Sequence, residues 1–301
     1  MKNPTIISYY PQTIDSALIA FQNQFPDCNL VIIHNNNQIV VANQLINPNL
    51  KQSSLKQSNQ ATIFTYHFDV HHLSVIIDFC KQVQKPIPYL ICQLQRADLQ
   101  NRILIDDWIK QLNNLHYQSQ MIKINASHFG SVQNHTTCFL ISYFQSSTTL
   151  YDIDLKVLNQ IKNPATNFLP IIDVLDQTNQ WKQFSGYPIL NQNNNGVNKL
   201  LVYNNLEQQL CTTIYGASGK LPSLKSHPVA KLKIKYTNSA SQTICRPLNC
   251  LEVVRAFDYL DQVYNKLKKR FNDQTIIKLI TKSTPLRVFQ TIIETLKIDH
   301  Y

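Results

Sequence analysis

The feature that most constrains the fold of this chain is an alternation of strand-like and helix-like segments in its N-terminal part. Residues 5–10 form a short β-type run, and after a break at Pro11 the carboxylate of Asp15 can cap a helix. Residues 30–33 form a second apolar strand, and residues 39–46 form a second helix-like segment. The order strand, helix, strand, helix is typical of a parallel sheet covered by helices, so we predict an α/β fold.

The length and composition of the chain are those of a folded globular protein. Its 301 residues are 44% hydrophobic and 15% charged, enough for one large domain or two modest ones. No apolar run reaches the about 18 residues that a membrane-spanning helix needs, and the N-terminus lacks the pattern of a signal peptide. Seven cysteines without framework spacing are typical of free thiols in a reducing compartment. We therefore expect a cytoplasmic protein without a membrane partner.

The positive charge is concentrated in the last quarter of the sequence. The net charge is +10, and residues 225–301 contain 14 Lys and Arg against 6 Asp and Glu, a local excess of +8. Such a concentration favours contact with a phosphate backbone, although a solvated lysine-rich surface has the same composition. Nucleic acid is therefore a candidate partner. The candidate DNA-binding residues are Lys225, Lys231, Lys233, Lys235, Arg246, Lys266, Lys268, Lys269 and Arg270.

A histidine-rich segment after the strand-like residues 61–68 raises the question of a metal site. Its members are His67, Asp69, His71 and His72. His67 and His71 could meet on one helical face, but no further ligand group is apparent and surface histidines are common. Cys245 and Cys250 have no second Cys or His pair at zinc spacing. We therefore predict no bound metal.

Residues 122–144 contain two apolar β-rich runs joined by a turn at Gly130, the only glycine among the first 185 residues. This segment resembles one in bacterial cytosine-5 DNA methyltransferases, where leucine-asparagine-alanine is followed by tyrosine-glycine, a glutamine and two arginines. The residues that keep the pattern here are Asn125, Ala126, Phe129, Gly130 and Gln133. His135 and Thr137 stand at the arginine positions.

Further blocks resemble the same family in the same order along the chain. Residues 85–91 resemble its lysine-proline block, and residues 276–288 resemble its closing block. A third block keeps Arg246, Pro247, Leu248, Glu252 and Arg255 in register. The resemblance implies a Rossmann-like class I methyltransferase sheet with a smaller mixed target-recognition domain. The large domain would comprise residues 1–146 completed by 270–301, and the recognition domain would comprise residues 147–269.

The residues that would bind the family's cofactor, S-adenosylmethionine, are replaced. Family members carry a glycine-rich loop after the first strand, whereas no glycine precedes Gly130 here. A Cβ in such a loop blocks close approach of the backbone and disfavours positive φ. His34 stands where an acidic residue would accept hydrogen bonds from the cofactor ribose, and Thr281 and Lys282 replace a glycine and an asparagine. The resemblance thus implies that this chain has no cofactor-binding residues.

The residues that would act on cytosine are also replaced. The family's proline-cysteine-glutamine segment, which carries the nucleophile, corresponds to residues 66–72, which contain no cysteine. The family's glutamate, a general acid, corresponds to Cys92. We interpret Cys92 as a buried core thiol, because no basic group is placed to activate it. The resemblance thus implies no catalytic residues.

A kept scaffold with replaced chemistry predicts a catalytically inactive homologue. We expect a bacterial, cytoplasmic subunit with a regulatory or DNA-binding role. It would form a heterodimer with an active cytosine-5 DNA methyltransferase of the restriction-modification type, bind double-stranded DNA, and leave S-adenosylmethionine to the partner subunit. Two alternatives stay open: a stand-alone DNA-binding protein, and an enzyme with a repurposed pocket at His67, His71 and His72.

Overall fold

The computed structural model describes residues 3–11, 13–55, 61–94, 98–131, 136–145, 182–183, 233–237, 243–247 and 249–296, with the backbone alone for 182–183, 233–237 and 243–247. The strands are β1 Thr5–Tyr9, β2 Asn29–Ile33, β3 Lys51–Gln52, β4 Ile63–His67, β5 Tyr89–Leu94, β6 Tyr117–Asn125, β7 Thr136–Phe144, β8 Lys182–Gln183, β9 Lys233–Thr237 and β10 Thr243–Pro247. The helices are α1 Ser16–Gln24, α2 Asn37–Ile46, α3 Val70–Gln82, α4 Arg102–Asn113, α5 Cys250–Ala256, α6 Asp261–Lys268, α7 Asp273–Thr281 and α8 Leu286–Thr295.

The alternation predicted for the N-terminal part is present. Asp15 caps α1, because its side chain accepts hydrogen bonds from the backbone N–H groups of Ala17 and Leu18. The second helix, α2, begins two residues earlier than the sequence pattern indicated. Asn36 is its N-cap, and the Asn36 side chain accepts from the N–H of Gln38. The polar N-cap residue therefore marks the start of α2 more accurately than the apolar periodicity does.

β1 to β7 form one seven-stranded sheet in the order β3-β2-β1-β4-β5-β7-β6. β1 is parallel to its neighbours β2 and β4, and the pairs β2–β3 and β4–β5 are also parallel. β7 runs antiparallel to both β5 and β6. β8, β10 and β9 form a separate antiparallel sheet. The mixed seven-stranded sheet with flanking helices confirms the predicted α/β class.

The core lies on both faces of the large sheet. Phe139 and Leu140 are adjacent on β7 and point to opposite faces, yet neither is exposed to solvent. On one face Leu140 belongs to a cluster with Trp108 of α4, whose indole N–H donates to the Tyr66 hydroxyl at 3.0 Å. On the other face Phe139 packs edge-on against Phe289 of α8, with ring centroids 5.3 Å apart. Because both faces of the sheet are buried, the strand sequences are apolar without strict alternation.

The chain divides into two compact units. The first comprises Met1–Asn125, Thr136–Gln160 and Leu286–Tyr301, and the second comprises Ala126–His135 and Ile161–Pro285. The predicted recognition domain, residues 147–269, lies mostly outside the described residues, so the predicted domain boundaries stay a prediction. In the described ranges, no helix combines the length and the apolar character that crossing a membrane requires.

Helices α5 to α7 belong to the second unit and are tied together by buried polar groups. The Asn249 side chain accepts from the Glu252 N–H at 2.8 Å, and the Glu252 carboxylate accepts from the Asn249 N–H at 2.9 Å, which forms a capping box. The Tyr259 hydroxyl, just after α5, donates to Ser283 Oγ at 3.0 Å. The Ser283 hydroxyl in turn donates to the Ile280 carbonyl in α7 at 2.6 Å. These bonds fix the orientation of α5 and α7.

Candidate functional site

The strand order places a candidate ligand crevice at the carboxyl ends of β1 and β4. Successive strands are added on one side of β1 as far as β3 and on the other side from β4 onward, so the order reverses between β1 and β4. In open α/β sheets, ligands bind outside the carboxyl ends of the strands at such a reversal. The residues that decide what this chain can bind are therefore those that follow β1, β2, β4 and β5.

Four aromatic rings from three of these connections meet in one cluster. Tyr10 follows β1, and its ring centroid lies 5.1 Å from that of His34 after β2 and 4.8 Å from that of His72 in α3. Tyr9 lies 4.8 Å from Tyr10 and 5.5 Å from His72. We call Tyr9, Tyr10, His34 and His72 the ring cluster. Its rings pack against one another within the distances typical of aromatic pairs.

The backbone of Tyr10 is held in a conformation that a bulky residue seldom adopts. Its φ is 47°, in the left-handed region that glycine enters freely and a side chain with a Cβ does not. The Tyr10 N–H donates to the Ile33 carbonyl at 2.8 Å, which ties the end of β1 to the end of β2. A tyrosine ring therefore lies where the family resemblance implied a glycine-rich loop.

The His34 ring has two backbone hydrogen-bond partners. Nδ1 accepts from the Asn36 N–H at 2.7 Å, and the ring also bonds the Pro11 backbone. Burial lowers the pKa of His34, and the bond to Pro11 opposes that shift. A neutral imidazole whose Nδ1 is already an acceptor leaves its other nitrogen as a donor. His34 therefore has no acceptor left for the hydroxyl groups of a ribose.

On the other side of Tyr10, His72 is oriented by a carboxylate. Its Nδ1 lies 3.5 Å from Asp69 Oδ2, three residues earlier, near the start of α3. Tyr9, which the rings and Asp69 surround, has a raised pKa because of burial first and the nearby Tyr10 and Asp69 second. The polar groups nearest the cluster are thus engaged with one another.

A buried carboxylate fixes the loop that connects β1 to α1. Besides the two N–H groups that it caps, Asp15 accepts a hydrogen bond from the hydroxyl of Ser8 in β1. Burial raises the pKa of Asp15, and the hydrogen bonds from Ser8 and from the backbone oppose that shift. The sequence identified Asp15 as a cap, but the bond to Ser8 depends on the pairing of strand and loop in space.

Asn43 holds the same loop from the side of α2. Its side-chain carbonyl accepts from the Asp15 N–H at 2.9 Å, and its amide donates to the carbonyls of Thr13 at 3.1 Å and Ile39 at 2.9 Å. Asn43 is completely buried. Sequence reasoning missed this residue, although an asparagine on the apolar face of a helix was a signal that a buried polar partner exists.

The structure describes two of the three side chains in the histidine segment, His67 at the end of β4 and His72 in α3. The His67 ring is partly exposed, but its Nδ1 is buried without a hydrogen-bond partner among the described residues, and desolvation lowers its pKa to about 4. His72 belongs to the ring cluster, and the side chain of His71 lies outside the described residues. Within the ranges that the structure describes, no group of three His, Cys, Asp or Glu side chains could hold a metal ion.

Cys92 is the buried core thiol that we expected. It is fully buried on β5, and burial raises its pKa well above the ordinary value, which a hydrogen bond with Tyr66 opposes. Burial also raises the pKa of Cys28 to about 11, and those of Cys80 and Cys250 to about 12. The cysteines described are all free, and those values leave little thiolate at neutral pH.

The structure describes the surroundings of four of the nine predicted DNA-binding side chains. Lys225 and Lys231 lie outside the described residues, and for Lys233, Lys235 and Arg246 only the backbone of β9 and β10 is described. Lys266 is partly buried, Lys269 and Arg270 are exposed after α6, and Lys268 is ion-paired. Of the predicted residues whose side chains are described, Lys269 and Arg270 are therefore the best candidates for a contact with DNA.

Two further cations, one on α7 and one at its C-cap, were not among the predicted DNA-binding residues. Lys278 and Lys282 are both exposed and lie four residues apart, so they form one row along the helix with a rise of about 6 Å. We call α6 and α7, with the exposed Lys269, Arg270, Lys278 and Lys282, the basic hairpin. The acids nearest in sequence are already paired, Asp261 with Arg255 at 2.6 Å and Asp273 with Lys268 at 2.5 Å.

Solved structures that resemble this chain include methyltransferases. The S. pombe Dnmt2 methyltransferase matches 99% of this chain over 100% of its own, with a TM-score of 0.70 and 12% identity. The Entamoeba histolytica methyltransferase EhMeth matches 100% of both chains, with a TM-score of 0.69 and 9% identity. A putative DNA modification methyltransferase encoded within an E. coli prophage matches 97% of this chain over 98% of its own, at 0.58 and 13%.

No protein-family model matches the sequence, and no curated protein matches it either. At identities this low, the structural likenesses establish the fold alone. They confirm the Rossmann-like class I methyltransferase fold that the sequence resemblance implied.

Proposed function

We propose that this chain is a catalytically inactive homologue of cytosine-5 DNA methyltransferases, which acts as a regulatory and DNA-binding subunit of an active one. The observation that carries the proposal is the ring cluster at the carboxyl edge of the sheet. Three connections that would surround a ligand in this fold contact one another through Tyr10, His34 and His72 instead.

The residues present at this edge do not fit S-adenosylmethionine, the cofactor of the fold family. A tyrosine with φ 47° supplies a Cβ and a ring where the bound cofactor needs an approachable backbone. His34 offers no acceptor for ribose hydroxyls, because its Nδ1 already accepts from Asn36. The loop between β1 and α1 is fixed by Asp15 and Asn43, which opposes its rearrangement around a ligand.

The described side chains also offer little to attack or protonate a base. Nucleophilic attack by cysteine needs a thiolate, and burial keeps the Cys92 thiol protonated. His67, in the segment that corresponds to the family's nucleophile, has a pKa lowered to about 4 by desolvation. A group with that pKa carries almost no proton at neutral pH, so it is a poor general acid. These properties support a role without chemistry of its own.

The role as a subunit is tested by co-purification and methylation assay with an active cytosine-5 DNA methyltransferase encoded near it. We expect the two chains to form a complex, and the partner to bind its DNA or transfer methyl groups measurably better within it. The matched control is the same partner with the Asn43→Ala variant, whose first unit is destabilised. A partner that neither binds this chain nor changes its activity would contradict the subunit role.

A second candidate function is stand-alone DNA binding, which the basic hairpin favours. Lys269, Arg270, Lys278 and Lys282 are exposed and make no ion pair with any described residue. Cations that are free in the unbound protein can replace the counterions of a phosphate backbone without losing a partner. Duplex binding by the isolated chain, with a steep loss of affinity as salt rises, would favour this candidate over an obligate subunit.

A further inference from the structure

The two edges of the large sheet are protected to very different extents. β3 ends the sheet on one side with only two residues, a short edge that offers little to another strand. β6 ends it on the other side with nine residues. All nine pair with β7 in unbroken register from Tyr117↔Phe144 to Asn125↔Thr136, so no bulge turns this edge away.

Among the described residues, no strand pairs with the outer side of β6. In an antiparallel strand, alternate residues direct their N–H and C=O groups away from the partner strand. For residues 118–124, no hydrogen bond joins these outward groups to another part of the described chain. The strand has no proline and only one charged residue, Lys123, so the usual devices that block strand addition are almost absent.

The sequence of β6 is self-complementary about its centre. Met121 is the middle residue of the nine and is 49% exposed, although it lies directly opposite the fully buried Leu140 of β7. Antiparallel pairing of two copies about Met121 would place the two methionines together and Lys123 opposite Ser119. That register puts no two like charges opposite each other.

Met121 lies on the same face of the sheet as α4, which carries an exposed apolar residue of its own. Leu140 shares a buried cluster with Ile105, Trp108 and Leu112 of α4, so Met121 points to the face that α4 covers. On the same helix Ile103 is 85% exposed. A two-fold axis perpendicular to the sheet would keep α4 of both copies on that one face, beside the new strand pair.

From this geometry we propose that β6 is a homodimer interface, in which two copies of this chain join their large sheets by antiparallel β6–β6 pairing centred on Met121. The occupant is a second copy because the edge matches itself in backbone pattern, apolar centre and charge. The inference does not depend on the proposed function, since it concerns the edge of the sheet and not the ring cluster.

Sedimentation equilibrium of the full chain tests the proposal directly. Wild type is expected to be a dimer, and Met121→Lys and Met121→Glu should each weaken dimerisation about tenfold, because like charges would face each other at the centre. Mixing the two variants should restore the dimer, since lysine then faces glutamate. Val75→Lys is the control, because Val75 is a 39% exposed apolar residue on α3 and not at the β6 edge.

Hydrogen exchange provides the structural readout. The outward amides of β6 should become more protected as protein concentration rises, whereas the amides of β3 should not change. A wild-type chain that stays monomeric would overturn the proposal, and so would variants that dimerise like wild type. If both variants are monomeric and folded but their mixture does not dimerise, the two-fold pairing at Met121 is wrong.

Discussion

The ring cluster and the basic hairpin treat their polar groups in opposite ways. At the ring cluster, polar atoms are used within the chain: His34 bonds Asn36 and Pro11, His72 faces Asp69, and the loop below is held by Asp15. In the basic hairpin, the ion pairs of Asp261 and Asp273 use other cations, and the four exposed ones form no ion pair with a described residue. The described polar groups of the first region are thus paired within the chain, whereas the exposed cations of the second are available to water or an anionic partner.

The largest effect on stability is expected from Asn43, whose buried side-chain amide holds the loop between β1 and α1. Asn43→Ala removes three hydrogen bonds and leaves the Asp15 N–H and the Thr13 and Ile39 carbonyls without that partner. We expect a loss of about 3 kcal/mol in the free energy of unfolding, measured by denaturant titration. Asn113→Ala, at an exposed position in α4, should change it by no more than about 0.5 kcal/mol. Equal effects of the two substitutions would contradict the buried network.

Acid should weaken the first unit through His67. Its folded pKa is about 4, below the ordinary value of 6.5, so the unfolded chain binds a proton at a pH where the folded chain does not. This stability is present above pH 6.5 and is lost as pH falls toward 4, by up to about 3 kcal/mol.

The His67→Phe variant isolates that contribution, because phenylalanine keeps a ring but cannot take up a proton. Unfolding free energies measured between pH 7 and pH 4 should fall less steeply for the variant than for wild type. Parallel curves for the two proteins would show that His67 is not buried in its neutral form.

For the basic hairpin, the expected effect is on the salt dependence of duplex binding. If Lys278 and Lys282 both contact phosphates, the Lys278→Gln/Lys282→Gln double variant should reduce the slope of log affinity against log salt by about 2. Fluorescence anisotropy at several salt concentrations measures this slope. Lys51→Gln/Lys110→Gln, with the same charge change at exposed positions of the first unit, is the control. Identical slopes for both double variants would remove the hairpin as a contact surface.

The smallest effect concerns the strained tyrosine of the ring cluster. Tyr10→Gly loses ring contacts but relieves the left-handed backbone, so we expect the net change in unfolding free energy to stay within about 1 kcal/mol. Tyr10→Ala loses the same contacts and keeps a Cβ at φ 47°, so it should be less stable than the glycine variant by about 1 kcal/mol. Equal stability of the two variants would show that φ is not constrained.

The parts of the fold that depend on local sequence were predictable. The capping oxygen of Asp15 and the apolar runs of β1 and β2 act within a few residues, so the alternation of strand and helix followed from them. The class of the sheet, Rossmann-like class I methyltransferase, followed from the family resemblance and not from the pattern itself.

The candidate site was less predictable, because its contacts join residues that are distant in the sequence. His34 was identified as a departure from the family pattern, but its stacking on Tyr10 requires the ends of β1 and β2 to lie side by side. Lys268 was predicted to contact DNA. The turn after α6 instead brings Asp273 close to Lys268, and the two side chains form an ion pair. Partners such as these become visible only when the connections are placed in space.

Calorimetric titration of S-adenosylmethionine into the purified full chain tests the central claim most directly. The claim is that the ring cluster and the fixed loop beneath it leave no place for the methyl donor at the carboxyl edge of β1. We predict no saturable heat with wild-type protein at any concentration at which an active cytosine-5 methyltransferase, titrated in parallel, is saturated. Saturable binding of one S-adenosylmethionine per chain, abolished by substitution of His34 or Tyr10, would contradict the account.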